Sequence, residues 1–278
     1  MHTSDPRDTP GGAQAPVGVF DSGLGGLSVL RELRALLPHE DFVYVADSGH
    51  VPYGEKSEAY IRARTHALTG FLLGHGAKLV VIACNTATAA AADSLRSRVA
   101  VPVVGMEPAV KPAAAATRSR VVGVLATTGT LASARFAALL ARFGDGVEVL
   151  TEPCPGWVDL VEHGDLTSAA ARANVARHVE PLLARGADTL ILGCTHYPFL
   201  APLIRTVAGP DVTLIDTAGA VARRTRSLLE SHGLLRGAPH AGTAAFFASG
   251  DCARLEPVAA RLWGAPLTLA PLPAAVAG

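Results

Sequence analysis

Short apolar runs recur along this chain, and each ends on glycine or small polar residues. In the first part they are "VGVF" (17–20), "FVYVA" (42–46), "LVVIA" (79–83) and "VPVVG" (101–105), all rich in Val, Ile or other β-formers. Runs this brief and this uniformly apolar predict strands buried on both faces, because they are shorter than the usual helix and rich in β-formers. Between them lie the longer mixed stretches "LSVLRELRALL" (27–37), "EAYIRARTHALTGFLLGHG" (58–76) and "TATAAAADSLRSRV" (86–99). These predict helices, the last one favoured by its alanines.

The order restarts after Lys111. "RVVGVLA" (120–126), "VEVL" (147–150), "DTLILG" (188–193) and "VTLID" (212–216) predict strands. "LASARFAALLARFG" (131–144), "TSAAARANVARHVEPLLARG" (167–186) and "TAGAVARRTRSLLESHG" (217–233) predict helices. "GTAAFFASGD" (242–251) predicts one more strand and turn, and "CARLEPVAARLWG" (252–264) a short terminal helix. Strict alternation of this kind implies an α/β fold with parallel sheets covered by helices on both faces.

The two parts also repeat each other. The first opens on "VGVFDSGLGGLSV" and reaches "LVVIACNTAT"; the second opens on "VVGVLATTGTLAS" and reaches "TLILGCTHYP". We read two similar doubly wound parallel-sheet domains in a pseudo-twofold relation, with the active site in the cleft between them. Residues 16–108 form the first domain, completed by 217–278, and 109–216 form the second; 1–15 read as a mobile N-terminal tail. Ligands of parallel sheets bind beyond the carboxyl ends of the strands. Facing domains would therefore bring Cys84 and Cys194 into one crevice from opposite sides.

Composition narrows the function. The chain has 278 residues, 49% apolar and 17% charged, a globular profile that needs no metal or disulfide to hold a core. Its 24 basic and 24 acidic residues cancel, and no dense basic block marks an extensive nucleic-acid surface. The start "MHTSDPRDTPGGAQAP" lacks the apolar core of a secretory signal, and no apolar run is long enough to cross a membrane. The four cysteines form no CxxC pair, which suits a reducing compartment; a cytoplasmic location is the expectation.

Cys84 and Cys194 each stand where a strand ends and a helix is about to begin, with Asn85-Thr86 or Thr195 following. Peptide N–H groups and the helix dipole favour thiolate there. Two thiols on opposite faces of a planar carbanion could remove a proton from one side and deliver one from the other, which inverts a stereocentre. A lone cysteine at a strand end is more often a small buried hydrophobe; the repetition of the setting is what argues for chemistry. Cys154 and Cys252 lack that setting and keep the ordinary packing role. Asp21 and Ser22, followed by glycines 23, 25 and 26, form a turn whose N–H groups can meet an anion. Asp47, Ser48 and the "PYG" of Pro52, Tyr53 and Gly54 end the next strand, and Thr127 and Thr130 lie at the matching turn of the second half. His196 could tune Cys194 or relay its proton. A Cys/Cys/His zinc site lacks a fourth ligand and short spacing. With no dinucleotide fingerprint and only Lys56, Lys78 and Lys111 as lysines, cofactor-free chemistry is preferred.

The segments "GVFDSGLGGLSV" (18–29), "ADSGHVPYGEKS" (46–57), "ACNTATA" (83–89), "VVGMEPA" (103–109), "CPGWVDLVEHG" (154–164) and "LILGCTHYP" (190–198) together resemble the glutamate racemases of the aspartate/glutamate racemase superfamily. The resemblance spans nearly the whole chain. It implies cofactor-independent, two-base interconversion of L- and D-glutamate, with D-glutamate going to bacterial peptidoglycan. It implies that Cys84 acts on D-glutamate and Cys194 on L-glutamate, with Asp21, His196 and Glu162 assisting. It further implies that Ser22, Pro52, Tyr53, Gly54, Asn85, Thr86 and Thr195 hold the substrate, and that the protein is a homodimer. The family's second-half turn usually reads Gly-Thr, whereas here Ala126 precedes Thr127. Two other readings of the same residues are a racemase for aspartate or another acidic amino acid, and an amide hydrolase with Cys194 as nucleophile and His196 as base.

Overall fold

The computed structural model describes residues 12–278. Most of the expected N-terminal tail, residues 1–11, lies outside the described residues; within it, the Ala13 carbonyl accepts a hydrogen bond from Lys78 Nζ at 2.6 Å. In chain order the first part runs β1 (Val17–Asp21), α1 (Leu27–Leu36), β2 (Phe42–Ala46), α2 (Glu58–Gly74), β3 (Leu79–Ile82), α3 (Asn85–Arg96) and β4 (Val103–Val104). Then follow α4 (Val110–Ala116), β5 (Val121–Ala126), α5 (Thr128–Leu131), α6 (Ala134–Phe143), β6 (Glu148–Pro153), α7 (Trp157–Glu162), α8 (Ala169–Ala184), β7 (Thr189–Leu192), α9 (Ala201–Ala208) and β8 (Thr213–Ile215). The chain closes with α10 (Ala218–Ser231), β9 (Ala244–Ala248), α11 (Cys252–Trp263), β10 (Leu269–Pro271) and α12 (Ala274–Ala277).

The strands form two sheets, one ordered β10-β9-β2-β1-β3-β4 and the other β6-β5-β7-β8. Every strand pair is parallel. Within both sheets the order β2-β1-β3-β4 recurs as β6-β5-β7-β8, so the repetition read in the sequence is a repetition of topology. Each sheet reverses strand order beside its first strand, and that switch point opens a crevice at the carboxyl ends. Asp21 and Cys84 flank it in one sheet, and Thr127 and Cys194 in the other.

Side chains alternate across β1. Val17 and Val19 face α1 in a core that also takes in Leu27, Leu30 and Leu33, while Phe20 faces the α2 side with Leu68 and Leu72. In the second sheet Val122, Val124 and Ile191 pack with Phe136 of α6 and Ala113 of α4, and Leu190 and Leu192 pack with Val179 and Leu182 of α8. The core that holds α1 is continuous with the one that holds α8, through Leu24, Trp157 and Tyr197. Both domains thus share apolar packing directly behind the site.

Three features differ from the sequence expectation. The helix expected over 131–144 is two helices, because the Ser133 side chain accepts from Phe136 N and starts α6 afresh. The segment 252–264 is not the terminal element, since β10 and α12 follow it and β10 adds to the sheet edge beside β9. Helices α4, α7 and α9 were not expected; each is eight residues or shorter, too few for a periodic stripe to register.

At the far end of β7 from Cys194, the Asp188 carboxylate accepts from Arg118 N and Ser119 N, both at 2.8 Å, and from Thr117 Oγ1 at 2.6 Å. Burial raises its pKa, but these bonds and one from Thr189 outweigh it and hold the group well below the usual carboxylate range. A depressed folded pKa stabilises above the unfolded value of about 4, and the stabilisation fades as pH falls below it. Asp188→Asn should therefore lower stability in urea by about 1 kcal/mol at pH 7, a figure reduced for solvent screening, with the gap to wild type closing toward pH 2.

Candidate active site

The turn after β1 builds one wall. Asp21, fully buried, accepts from Gly26 N at 2.6 Å and from Thr195 Oγ1 at 3.2 Å, so it ties this turn to the segment that follows β7. Burial raises its pKa, while the neighbouring His196 and the N–H groups of Ser22 and Gly26 pull the other way. Ser22 Oγ lies 3.4 Å from Asp21 Oδ1 and accepts from Cys84 Sγ at 3.7 Å. Tyr44, from the middle of β2, donates to Gly23 O at 2.8 Å and holds the turn from below. Nothing in the strand pattern marked it out, apart from a tyrosine's need for a polar partner when buried.

Cys84 is the N-cap of α3, and its sulfur accepts from Ala87 N at 3.5 Å. Burial, and then the Asp21 charge, push its thiol far up, against the favourable Ala87 and Ser22 contacts. Cys194 is also among the charges that Cys84 feels, so the two sulfurs share one electrostatic environment. Cys84 is 5% exposed and Cys194 8%.

The opposite wall is an unbroken polar chain. Cys194 Sγ lies 3.6 Å from His196 Nδ1, and His196 Nε2 lies 2.7 Å from Glu162 Oε1. Burial works against an imidazolium at 196, but Cys194 and Glu162 overcome it and hold the ring pKa well above its ordinary value. Glu162 reaches the other domain as well: Leu24 N donates to Oε1 at 2.6 Å and Ser48 Oγ to Oε2 at 3.1 Å. Glycine is required where the turn meets this pair. A Cβ on Gly25 would sit 2.3 Å from His196 Nδ1, and one on Gly23 2.3 Å from Glu162 Oε1. Gly193 plays the same part beside Ala126, whose Cβ would lie 2.9 Å from a Cβ at 193; the alanine before Thr127 is accommodated by that glycine.

The remaining sequence-predicted residues separate into four groups. Thr86 Oγ1 lies 2.9 Å from Thr127 Oγ1 and 3.1 Å from Thr130 Oγ1, a hydroxyl cluster that joins α3 to the opposite domain. Pro52, Gly54 and Thr127 line a narrow crevice of about 40 Å³ together with Cys154 and Asp159. Asn85, 4% exposed, has neither amide atom partnered among the described residues. A buried amide without a partner is the mark of a group awaiting a polar ligand. Asp47 differs from its expected place as a substrate-facing group. Its oxygens are taken by Arg64 at 2.7 and 2.9 Å, by Tyr53 Oη at 2.5 Å and by Ser249 Oγ at 2.8 Å. All four lone-pair positions are occupied, so Asp47 fixes the Tyr53 turn from behind. Arg64 and Ser249 escaped the sequence reading because they come from distant elements. Among the described residues no cluster of His, Cys, Asp or Glu could hold a metal ion.

The paired strand-end thiols, each backed by its own polar group, have the arrangement that a two-sided acid–base site requires. The chain matches the Asp/Glu/Hydantoin racemase family over residues 23–225. It is 62% identical over 253 residues to the glutamate racemase of Ectopseudomonas mendocina, covering 91% of this chain and 96% of that one. Among solved structures it resembles a glutamate racemase isoform of Bacillus anthracis, with a TM-score of 0.86 at 32% identity over 94% of this chain and 98% of that one. Another is the Escherichia coli glutamate racemase in complex with L-glutamate and the activator UDP-MurNAc-ala, with a TM-score of 0.81 at 36% identity over 93% and 98%. The chain therefore belongs to the Asp/Glu/Hydantoin racemase family, on its glutamate racemase branch.

Because the His196 ring is walled in by the glycine turn, Gly25→Ala should displace it by about an ångström. Turnover should fall on the order of 10²-fold with the far-ultraviolet circular dichroism unchanged. Wild-type turnover in that variant would show that the ring position is not critical.

Proposed function

We infer that this protein interconverts L- and D-glutamate without a cofactor by a two-base mechanism, supplying D-glutamate for peptidoglycan. The observation that carries the reading is the pair of buried cysteines at equivalent strand ends of two repeated sheets. The two thiols are not equivalent. Burial and the Asp21 charge push the Cys84 thiol up, whereas Cys194 faces the His196 ring. With L-glutamate, Cys194 as thiolate takes the α-proton and the Cys84 thiol delivers one to the opposite face. The reverse direction uses the opposite protonation of the pair.

The α-proton of a free amino acid is a very weak acid, so the site must stabilise the carbanion. In this reading the substrate carboxylates lie among the Ser22, Asn85, Thr86 and Thr195 groups, with Pro52, Tyr53, Gly54, Thr127 and Thr130 closing the far side. Donors fixed in a dry, buried cleft act far more strongly on developing charge than they would in water. The unpartnered Asn85 amide supports that assignment. Asp21 and Thr195 form one assisting pair beside Ser22, and Glu162 and His196 the other beside Cys194. The relative solved with L-glutamate supports glutamate as the substrate here. The domain division at 108/109 and 216/217, a homodimeric assembly and a cytoplasmic location belong to the same reading; among the described residues no helix is long and apolar enough to cross a membrane.

Optically pure L-glutamate should lose its circular dichroism on addition of the purified protein alone. Cys84→Ser and Cys194→Ser should each lower that rate by at least about 10³-fold, since each removes one of two obligatory proton carriers. A single variant that kept wild-type racemisation would rule out the two-thiol scheme.

A further inference from the structure

Behind the turn that ends β2 lies a second buried polar network. Asp47 is fully buried, and Arg64 of α2 is 5% exposed. The guanidinium meets the carboxylate with two parallel bonds, Nη2 to Oδ1 at 2.7 Å and Nε to Oδ2 at 2.9 Å. Such a fork fixes orientation as well as charge. Asp47 Oδ2 also accepts from Tyr53 Oη, and Oδ1 from Ser249 Oγ. Burial and the Asp47 charge push the Tyr53 hydroxyl pKa far up, so it remains a donor to Asp47.

The remaining Arg64 nitrogen points to the segment after β10. Nη1 donates to Gly278 O at 2.8 Å, just beyond α12. The carbonyl before it is used as well. Ala277 O lies 2.8 Å from His50 Nε2, which therefore carries a ring hydrogen. His50 Nδ1 in turn lies 2.5 Å from Tyr60 Oη of α2. Leu272 is buried, and Val276 and Ala277 pack against the core cluster that includes Tyr53 and Leu68. A helix of four residues cannot hold itself together, so α12 depends on this seat. Two successive carbonyls thus reach one loop at two places, His50 directly and Asp47 with Tyr53 through Arg64.

We propose that α12, acting through Arg64 and His50, positions the 47–54 loop for substrate, so that an element bonded to neither thiol sets the affinity for glutamate. The inference rests on the reading above, in which Pro52, Tyr53 and Gly54 close on the substrate. No bond of this network reaches Cys84 or Cys194, whose side-chain partners are Ser22, Ala87 and His196. Arg64 and His50 are therefore positioning residues. The loop closes on L-glutamate, on D-glutamate and on the carbanion between them. Loosening it weakens ground state and transition state together, which raises KM and leaves kcat in place.

Arg64→Gln breaks the fork but strands the buried Asp47 charge, so the test does not rest on it alone. Val276→Asn unseats α12 and leaves Arg64, Asp47 and Tyr53 intact. In both variants KM for each enantiomer should rise on the order of tenfold, with kcat within about twofold of wild type. Tyr53→Phe removes only the hydroxyl that joins the loop to Asp47, and should raise KM as well. Combined with Val276→Asn it should raise KM by less than the product of the two single effects, because both act along one chain of contacts. Wild-type KM in Val276→Asn would overturn the proposal. So would a fall in kcat at unchanged KM, the mark of a merely structural role, or single effects that multiply in full. Absence of racemisation by the wild-type protein would instead overturn the underlying reading, which keeps the two failures distinguishable.

Discussion

The seat of the glycine turn at 23–26 against the buried Glu162–His196 pair is the contact on which this molecule depends. It joins the two sheets, because the turn belongs to the first and the pair to the second. Leu24 N and Ser48 Oγ supply two of the donors that a buried carboxylate at 162 requires. Glu162 in turn holds the imidazole that faces Cys194. Without side chains at 23 and 25 the backbone can approach both groups closely; any larger residue would drive the domains apart or turn the ring away. One polar contact therefore sets the domain spacing and the ring orientation together.

That coupling accounts for the unlike environments of two cysteines with the same place in a repeated topology. Cys84 caps a helix, accepting from Ala87 N and donating to Ser22 Oγ, with the Asp21 carboxylate close enough to oppose a second negative charge. Cys194 faces a ring held by a carboxylate. A catalyst that works in both directions needs one acid and one base at any moment, and a fold that repeats its topology without repeating its partners supplies that difference. A shared apolar core lies behind the turn, through Leu24, Trp157 and Tyr197.

The parts of this design that were legible in the sequence are those written locally. A brief Val/Ile run followed by Asp-Ser-Gly or Cys-Asn-Thr announces a strand, its end and its turn within a few residues. The parallel α/β class and the repeat followed directly from them. Pairings between distant segments were not legible from pattern alone. Asp47 looked like a strand-end ligand, and only the packing of α2 and the β9 turn reveals Arg64 and Ser249 filling its carboxylate. Glu162 entered through family resemblance, because "WVDLVE" is a single helical turn and a half with no signal pointing to His196. Strand β10 and helix α12 were missed because they are too short for any period to show, and prolines break the run.

The central claim is that hydrogen leaves one face of the α-carbon to one sulfur and arrives at the other face from a second. Early in the conversion of L-glutamate in deuterium oxide, the account predicts D-glutamate carrying deuterium at the α-carbon, while the remaining L-glutamate keeps its protium. D-glutamate that retained the protium of its substrate would mean that a single group serves both faces, and would contradict the account.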